Sequence, residues 1–451
     1  MPKVFVFILI LLFCSSLQSV QDEYSQRRTR LLESLDQQSV ALVSARSLTW
    51  GKEGLNKDFY FLTGLDLDSG VMMILPGDDQ PFRFYGRIIN SDKTVFSSVF
   101  PEDRLMPDLF RLLSSGRSRL ALSFSDSQLL ERFTQERSPL SMVSSMRNLD
   151  ELLHPLRVIK TGEEIRRLRS AIDTTALALA ETIRAVEPGM SEITINSLFN
   201  YETIRRGCPE GLSFSQVASG PNSTNVHFGA SERPVAAGDL ILFDVGAWYE
   251  HYTSDITRTI PVSGKFSPAQ AEIYDLVLSA QEAAIARMIP GTRLTEVQKA
   301  AEDVLVNGLT EMGLMTDIAS EWQKAFYIQH GFYHFIGLDV HDTWTWYRRD
   351  LTDKVYQPGM VMTMEPGLYF PAGMIGKIPQ RLAGKVSDEE FAAFREKVAP
   401  VYEKYQGNGV RIEDDILITE SGNEVLSAKV PKKRADIERL VRQKSYLNQT
   451  R

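Results

Sequence analysis

A helical unit occurs twice in this chain, which limits the folds that the sequence can adopt. In each copy a long amphipathic segment ends at a Pro-Gly pair and is followed by a second helical segment. The long segments are Thr161–Ala185 and Ala269–Met288, and the segments that follow them are Thr194–Arg206 and Thr295–Met312. Self-similarity at a spacing of about 100 residues favours an internal duplication. We therefore expect one α/β (α+β) domain with pseudo-two-fold symmetry rather than two unrelated domains.

The length of 451 residues predicts two or three domains. Residues 22–155 are interpreted as a small N-terminal α/β domain, residues 156–430 as the duplicated domain, and residues 431–451 as a tail with a surface helix at Ala435–Lys444. In the first domain, short apolar runs divided by Gly, Asp and Pro predict strands, and two longer segments predict helices. The predicted strands are Val40–Val43, Phe59–Leu62, Val71–Leu75 and Phe82–Tyr85, and the predicted helices are Asp103–Leu113 and Ser127–Gln135.

Residues 1–19 have the composition of a cleaved signal peptide. Lys3 precedes an unbroken apolar run, Val4–Phe13, and a polar segment follows. A run of about ten residues is half the length that a bilayer-spanning helix needs. The segment predicts a secreted or periplasmic protein, and no other stretch approaches transmembrane length.

Net charge and cysteine content disfavour two further classes of protein. The formal net charge is -8, whereas nucleic-acid binding needs a basic face. Of the two cysteines, Cys14 lies in the predicted signal peptide, so Cys208 has no internal disulfide partner. We interpret Cys208 as a buried thiol rather than as a nucleophile.

Two aspartates are predicted to face each other in a hairpin. Leu240–Trp248 and Ser254–Val262 have strand character, and the turn is centred on Tyr249–Glu250. This register sets Asp244 directly opposite Asp255. Like charges with Cβ atoms about 5 Å apart destabilise a sheet, and apolar residues flank both aspartates. A divalent cation would turn this repulsion into attraction, and two surface carboxylates in a shifted register are the alternative.

Three of the six histidines fall within one short segment, at His330, His334 and His341. His330 and His334 share one side of either a strand or a helix, since a spacing of four suits both periods. Clustered neutral imidazoles among apolar residues suit metal binding or proton transfer. One such histidine alone would be interpreted as a core residue.

Two further acidic positions lie in apolar surroundings. Glu365 ends an apolar run, and the proline after it keeps its backbone extended. Val410–Ile418 alternates as one strand, with Arg411, Glu413 and Asp415 on one face. An acidic residue inside such a strand needs a partner, because burying a charge is costly.

Two aspartates, one histidine and two glutamates together make an oxygen-rich donor set. Such a set fits Mn²⁺, Co²⁺ or Zn²⁺, and no thiolate is available to favour a soft site. Four carboxylates exceed what one divalent ion needs, and they could bridge two ions about 3.5–4 Å apart. We therefore expect two divalent metal ions per chain, with Mn²⁺, Co²⁺ and Zn²⁺ as the candidate metals.

In their order along the chain, these motifs resemble the pita-bread metallopeptidases, specifically the aminopeptidase P and prolidase branch. The resemblance covers nearly all of the chain after the predicted signal peptide. It rests on Ile241–Gly246, Ser254–Thr259, His330–Asp342, Glu365–Tyr369 and Arg411–Asp415. It implies a pita-bread catalytic domain with metal ligands at Asp244, Asp255, His334, Glu365 and Glu413, of which Asp255 and Glu413 would bridge.

The resemblance also implies the roles of residues around the metals. It assigns substrate binding to His227, His330, His341, Tyr369 and Arg411, and it groups the three histidines with Glu365 as catalytic residues. Glu365 would accept the proton of the attacking water. His227 would stabilise the tetrahedral oxyanion.

The N-terminal domain is similar to that of aminopeptidase P through Asp58–Gly64, with Arg27 and Arg28 opening the domain. This similarity favours an enzyme that acts on proline-containing peptides and cleaves between an N-terminal residue and a following proline. We also expect a homo-oligomer, a dimer or tetramer. A prolidase restricted to Xaa-Pro dipeptides is the chief alternative. A non-catalytic pita-bread binding protein and creatinase-like chemistry without metal are disfavoured, because all five ligand positions are filled.

Overall fold

The computed structural model describes residues 23–49, 52–88, 95–135, 141–343 and 353–448. The predicted signal peptide, residues 1–19, lies outside these residues. In the described part of the chain, no helix combines the length and apolar character needed to cross a membrane. The chain divides into two compact units, Met1–Arg157 and Val158–Arg451, and this division lies close to the predicted boundary after residue 155.

The first unit is built on a mixed sheet of six strands. The strands of the first unit, including two outside this sheet, are β1 Ser39–Ser44, β2 Arg46–Thr49, β3 Lys52–Leu55, β4 Val71–Ile74, β5 Phe82–Tyr85, β6 Ser98–Phe100, β7 Arg119–Leu122 and β8 Ser145–Asn148. The sheet order is β6-β5-β4-β1-β7-β8, and β2 pairs with β3 in a separate hairpin. β1 is almost entirely buried because it pairs on both edges, antiparallel with β4 and parallel with β7.

The first unit also contains helices, two of which, Leu105–Ser114 and Ser127–Gln135, contribute residues to the core of the sheet. The helices are 23–34, Lys57–Thr63, Leu105–Ser114, Ser127–Gln135 and Asp150–Val158, which ends at the start of the second unit. Leu105, Leu109 and Leu113 recur at the spacing of one helical face. All three pack into the same core as Leu42 of β1 and Met73 of β4.

One predicted strand of the first unit is a helix. Phe59–Leu62 lies within the helix Lys57–Thr63. Asn56 caps this helix, since its Oδ1 accepts hydrogen bonds from two backbone N–H groups of the first turn at 3.0 and 3.2 Å. Gly64 ends the helix with a φ of 69°. The strand prediction is wrong because periodicity cannot separate a buried strand from a buried helix in so short an apolar run. The capping residues Asn56 and Gly64 favour the helix here.

The second unit contains both copies of the predicted helical repeat. The first pair is Gly162–Ala185 and Glu192–Arg205, and the second pair is Pro268–Ile285 and Leu294–Glu311. Thr161 begins the first long helix through a capping box with Glu164, and Ser267 begins the second through a capping box with Gln270. These reciprocal hydrogen bonds satisfy backbone groups that a helix end leaves free. Later helices are Glu321–Tyr327, Asp388–Tyr405 and Arg434–Val441.

Each helical pair is followed by strands. They are β9 Leu212–Ser219, β10 Leu240–Tyr249, β11 Tyr252–Thr253, β12 Ile256–Pro261, β13 Val361–Met364, β14 Gly367–Tyr369, β15 Gly409–Arg411, β16 Asp414–Thr419 and β17 Gly422–Val425. β10 pairs with β9, β11 and β12, whereas β16 lies between β13 and β17, and β14 pairs with β15. A helical pair followed by strands thus occurs in both halves, as the internal repeat predicts, and in the second half the helix Glu321–Tyr327 lies between the pair and the first strand.

Candidate metal centre

The hairpin of β10, β11 and β12 carries the two aspartates, in a register different from the predicted one. Glu250 and His251 form the turn with φ values of 47° and 66°, positive at both central positions as in a type I′ turn. Asp244 therefore pairs with Thr257 rather than with Asp255. The predicted direct opposition is wrong because the turn lies one residue further along the chain. The partner of Asp244 is thus shifted by two residues. Because side chains alternate between the faces of a sheet with a period of two, both aspartates stay on the same face.

His334 and Glu365 reach the centre from the second half of the unit. The segment 332–336 runs antiparallel to β13: the Glu365 N–H donates to Phe332 O at 2.7 Å, and the Thr363 N–H donates to His334 O at 2.9 Å. The His334 N–H donates to Thr363 Oγ1 at 3.1 Å. Opposed residues of an antiparallel pair share one face. This pairing therefore sets His334 and Glu365 on the same side.

Glu413 lies at a break between two strands. The predicted strand Val410–Ile418 is divided into β15 and β16, which pair with different partners, β14 and β13. At the break, the Glu413 N–H donates to Thr257 O at 3.1 Å, and Thr257 Oγ1 donates to Glu413 Oε2 at 2.7 Å. The prediction of one continuous strand is wrong, because the backbone leaves one sheet for another here. This crossing brings Glu413 against β12.

Asp255, His334 and Glu413 form a compact donor group. One donor atom of each lies within 4.8 Å of the other two, and all three residues are buried. His334 Nε2 is 3.4 Å from Asp255 Oδ2, 3.6 Å from Glu365 Oε1 and 3.8 Å from Glu413 Oε1. His334 Nδ1 donates to Phe335 O at 3.1 Å. This bond leaves Nε2 as the unprotonated nitrogen, the form in which imidazole binds a metal.

The carboxylates of the centre have too few partners for their burial. Among the described residues, Asp244 Oδ1, Asp255 Oδ1 and Glu413 Oε1 are buried without a hydrogen-bond partner. Burial, and then repulsion from Glu413, raises the pKa of Asp255 and of Glu365 well above the usual range. Burial lowers the pKa of His334 to about 3. Because uncompensated buried charges are costly, this donor set fits divalent cations, which would balance the carboxylates.

Arg411 connects the centre to the predicted substrate-binding residues. Its guanidinium is buried and donates from Nη2 to Asp244 Oδ2 and from Nη1 to Tyr369 Oη at 2.6 Å. Tyr369 Oη is 2.9 Å from His330 Nε2, and His330 Nδ1 is 2.7 Å from Gly331 O. A carbonyl oxygen only accepts, so Nδ1 carries the proton and the Tyr369 hydroxyl donates to Nε2. A directed chain of hydrogen bonds thus runs from Arg411 through Tyr369 to His330.

His227 and His341 are both exposed to solvent. The His341 ring lies 4.4 Å from the His334 ring between centroids, in an edge-to-face arrangement. Partial desolvation of the His341 ring, and then the charge of His227, lowers the pKa of His341. Next to His227, Val226 O accepts a hydrogen bond from Arg411 Nη1 at 3.3 Å. The structure therefore brings the predicted ligands and the predicted substrate-binding residues into one region.

Two features of this region have no counterpart among the predicted site residues. Asp415 is buried, and its Oδ2 accepts a hydrogen bond from the Asp255 N–H at 3.1 Å. The sequence pattern indicates a role for Asp415 only through its place on the same predicted strand face as the predicted ligand Glu413. Lys160 Nζ pairs with Asp342 Oδ2 at 2.6 Å, and each side chain is 1% exposed. This ion pair anchors the residue that follows His341. The sequence around Lys160 does not indicate that it is buried in an ion pair, since its partner is 182 residues away.

Cys208 lies apart from this chemistry. Its side chain is buried, and burial raises the pKa of the thiol to about 11. A thiol with a raised pKa stays protonated and is a poor nucleophile. The prediction of a buried thiol is confirmed.

Comparison with known proteins identifies the class that this fold and centre define. Residues 166–420 match metallopeptidase family M24. The chain belongs to this family, and its second unit is a pita-bread catalytic domain. It is accordingly a hydrolase that depends on divalent metal.

The branch within the family follows from full-length relatives. The chain is 31% identical to the Xaa-Pro aminopeptidase of Escherichia coli (strain K12), over 93% of this chain and 98% of the relative. It is 28% identical to the mitochondrial intermediate cleaving peptidase 55 of Arabidopsis thaliana, over 95% of this chain and 85% of the relative. The solved structure of proline aminopeptidase P II from Yersinia pestis matches with a TM-score of 0.78 and 29% identity, over 93% of this chain and 99% of that one. The chain lies in the aminopeptidase P branch, as the motifs predict.

Proposed function

We propose that this metallopeptidase hydrolyses the peptide bond between an N-terminal residue and a following proline. The observation that carries the proposal is the buried cluster of carboxylates around His334. It lies in an M24 domain whose chain aligns with nearly the whole length of an Xaa-Pro aminopeptidase. The product would be a free amino acid and a peptide that begins with proline.

Five residues would hold the metal: Asp244, Asp255, His334, Glu365 and Glu413. Four carboxylates and one imidazole support two divalent ions, and among first-row metals they support Mn²⁺, with Co²⁺ and Zn²⁺ as alternatives. When bound, the ions supply Lewis acidity that makes a water molecule more acidic and the scissile carbonyl more electrophilic. Asp244, Asp255 and Glu413 would each be available to an ion, because each keeps one buried oxygen without a hydrogen-bond partner among the described residues.

The surrounding residues would perform the remaining tasks. Glu365 would accept the proton of the attacking water, because its Oε1 lies beside the predicted ligand His334, 3.6 Å from Nε2. His227 donates a hydrogen bond to the oxyanion of the tetrahedral intermediate. Arg411 holds Asp244 and Tyr369 in place, while His330 and His341 contact the substrate together with Tyr369 and Arg411.

His227→Ala is expected to lower kcat by about 10²–10³-fold, the usual cost of removing one oxyanion donor. The metals should stay bound, because His227 does not belong to the donor group. Steady-state kinetics on an Xaa-Pro-Xaa tripeptide, beside metal analysis, measures both. His251→Asn, a change in the β10–β11 turn, is the control and should keep wild-type kcat. A wild-type kcat in His227→Ala would contradict the oxyanion role.

The substrate class is tested by peptide length. We expect hydrolysis of Xaa-Pro-Xaa and of longer Xaa-Pro peptides, with release of the first residue and no cleavage of a matched Xaa-Ala peptide. Comparison of kcat/KM across an Xaa-Pro dipeptide, a tripeptide and a pentapeptide separates an aminopeptidase from a prolidase. Activity confined to the dipeptide would establish the prolidase alternative. Metal-loaded protein that cleaves none of them would establish a binding protein.

We further propose that the protein acts outside the cytoplasm and forms a homodimer or homotetramer. The signal-like composition of residues 1–19 supports the first proposal. Mass spectrometry of the mature N-terminus tests the first, and light scattering of the purified protein tests the second.

A further inference from the structure

A second group of metal-binding side chains lies in the first unit, outside the M24 domain. Asp58 belongs to the helix Lys57–Thr63, and Asp150 and His154 belong to the helix Asp150–Val158. One donor atom of each of the three residues lies within 4.8 Å of the other two. The group therefore joins two helices that are distant in sequence.

The spacing of two of these residues suits one metal ion. Asp150 and His154 are four positions apart, so they stand one above the other on the same helical face. Two ligands one turn apart on a helix are the arrangement by which H-E-x-x-H segments hold zinc. Asp58 supplies a third donor from a separate element.

Unsatisfied atoms point to a missing partner at this place. Asp150 is 3% exposed, and its Oδ1 has no hydrogen-bond partner among the described residues. His154 Nδ1 is also buried without a partner, so the two residues do not satisfy each other. A buried polar atom without a partner is costly. One bound cation would satisfy both atoms.

The charges of the group agree with a cation. Arg157 Nη1 pairs with Asp58 Oδ1 at 2.8 Å, which balances one of the two carboxylates. Asp150 then contributes the remaining negative charge in a buried position. An imidazole beside a buried carboxylate is a donor pair for a borderline metal ion rather than for an anion.

We propose that Asp58, Asp150 and His154 bind one divalent transition-metal ion, distinct from the ions of the catalytic centre. Two carboxylates and one imidazole suit Zn²⁺, Mn²⁺ or Co²⁺, and three protein ligands leave a coordination position for water. The ion would link the two helices and stabilise the folded unit, because it binds the folded state and not the unfolded chain.

Zn²⁺ alone is the probe for the first test. Wild type, His154→Ala and Asp150→Asn are equilibrated with Zn²⁺ by dialysis, and the metal content per chain is measured. Each variant is expected to bind one equivalent less than wild type while it still hydrolyses an Xaa-Pro peptide. His251→Asn, the matched histidine control, should keep the wild-type content. Equal Zn²⁺ content in wild type and both variants would overturn the proposal.

The second test does not depend on the folding of a variant. Crystals of the wild-type protein soaked in Zn²⁺ are measured at the zinc absorption edge. An anomalous peak about 2.0–2.1 Å from a His154 ring nitrogen is expected for zinc bound by imidazole. Absence of this peak would refute the site. The result is independent of the peptide assays, so failure of the proposed function and failure of this site are distinguishable.

Discussion

Glu365→Gln is expected to lower kcat by about 10²–10⁴-fold, the range typical of the loss of a general base. Glutamine keeps nearly the same size but loses the negative charge and the basicity. Glu365 Oε1 lies 3.6 Å from His334 Nε2, so the residue is placed both to bind metal and to accept a proton. The fall in kcat should persist in preparations that still carry metal, because only the proton acceptor is then missing.

Metal content measured beside kcat separates these two roles of Glu365. Glu424→Gln is the matched control, since Glu424 pairs with Arg169 on an exposed part of β17 and its side chain is 45% exposed. This control should keep wild-type kcat and metal content. If metal-replete Glu365→Gln hydrolyses an Xaa-Pro peptide at nearly the wild-type rate, the proton acceptor is another group.

Arg258→Met is expected to destabilise the second unit by about 3–5 kcal/mol, the cost of removing one partner of a buried ion pair. Arg258 Nη2 pairs with Asp414 Oδ1 at 2.6 Å, and both side chains are fully buried. Arg258 Nη1 also donates to Glu413 O at 2.6 Å. Burial opposes ionisation of Asp414, but Arg258 and Lys432 lower its pKa overall. Methionine would fill the space and leave the Asp414 charge with one cation fewer.

Urea unfolding followed by tryptophan fluorescence measures this effect in the second unit. Four of the five tryptophans follow Val158, at Trp248, Trp322, Trp344 and Trp346. Arg434→Met is the control, because Arg434 pairs with Asp275 at the surface, with side chains 42% and 48% exposed. A surface pair contributes about 0–1 kcal/mol, so the control should unfold near the wild-type midpoint. An unchanged midpoint in Arg258→Met would show that the pair is not important for stability.

Local sequence was enough to locate the long helices of the second unit. Their start signals lie within a few residues of each other, as with Thr161 and Glu164, which form the capping box of the first long helix. Such signals act through hydrogen bonds in one turn, so they can be recognised before the fold is known. The residue types of the metal centre were also recognisable, because an oxygen-rich set with one imidazole is a chemical pattern and does not depend on register.

Strand register and strand ends were decided by contacts between distant residues. Asp244 pairs with Thr257 because Glu250 and His251 adopt positive φ, a conformation that neither residue type signals. The predicted strand Val410–Ile418 is interrupted at Glu413, whose backbone N–H and side chain bond to Thr257, 156 residues earlier. A buried N–H or charge without a partner is costly, so most of them are paired. Which partner it finds depends on the elements that the folded chain brings beside it.

The ion pair of Lys160 and Asp342 shows the same physical reason most directly. Its two residues are 182 positions apart, and each side chain is almost completely buried. Neither residue has a local pattern that marks it as charged and buried, since a lysine or an aspartate in isolation is expected at the surface. Burial became favourable only because the tertiary structure set the opposite charge within hydrogen-bonding distance. Composition and spacing thus specify the chemistry available to this chain, and packing decides which groups meet.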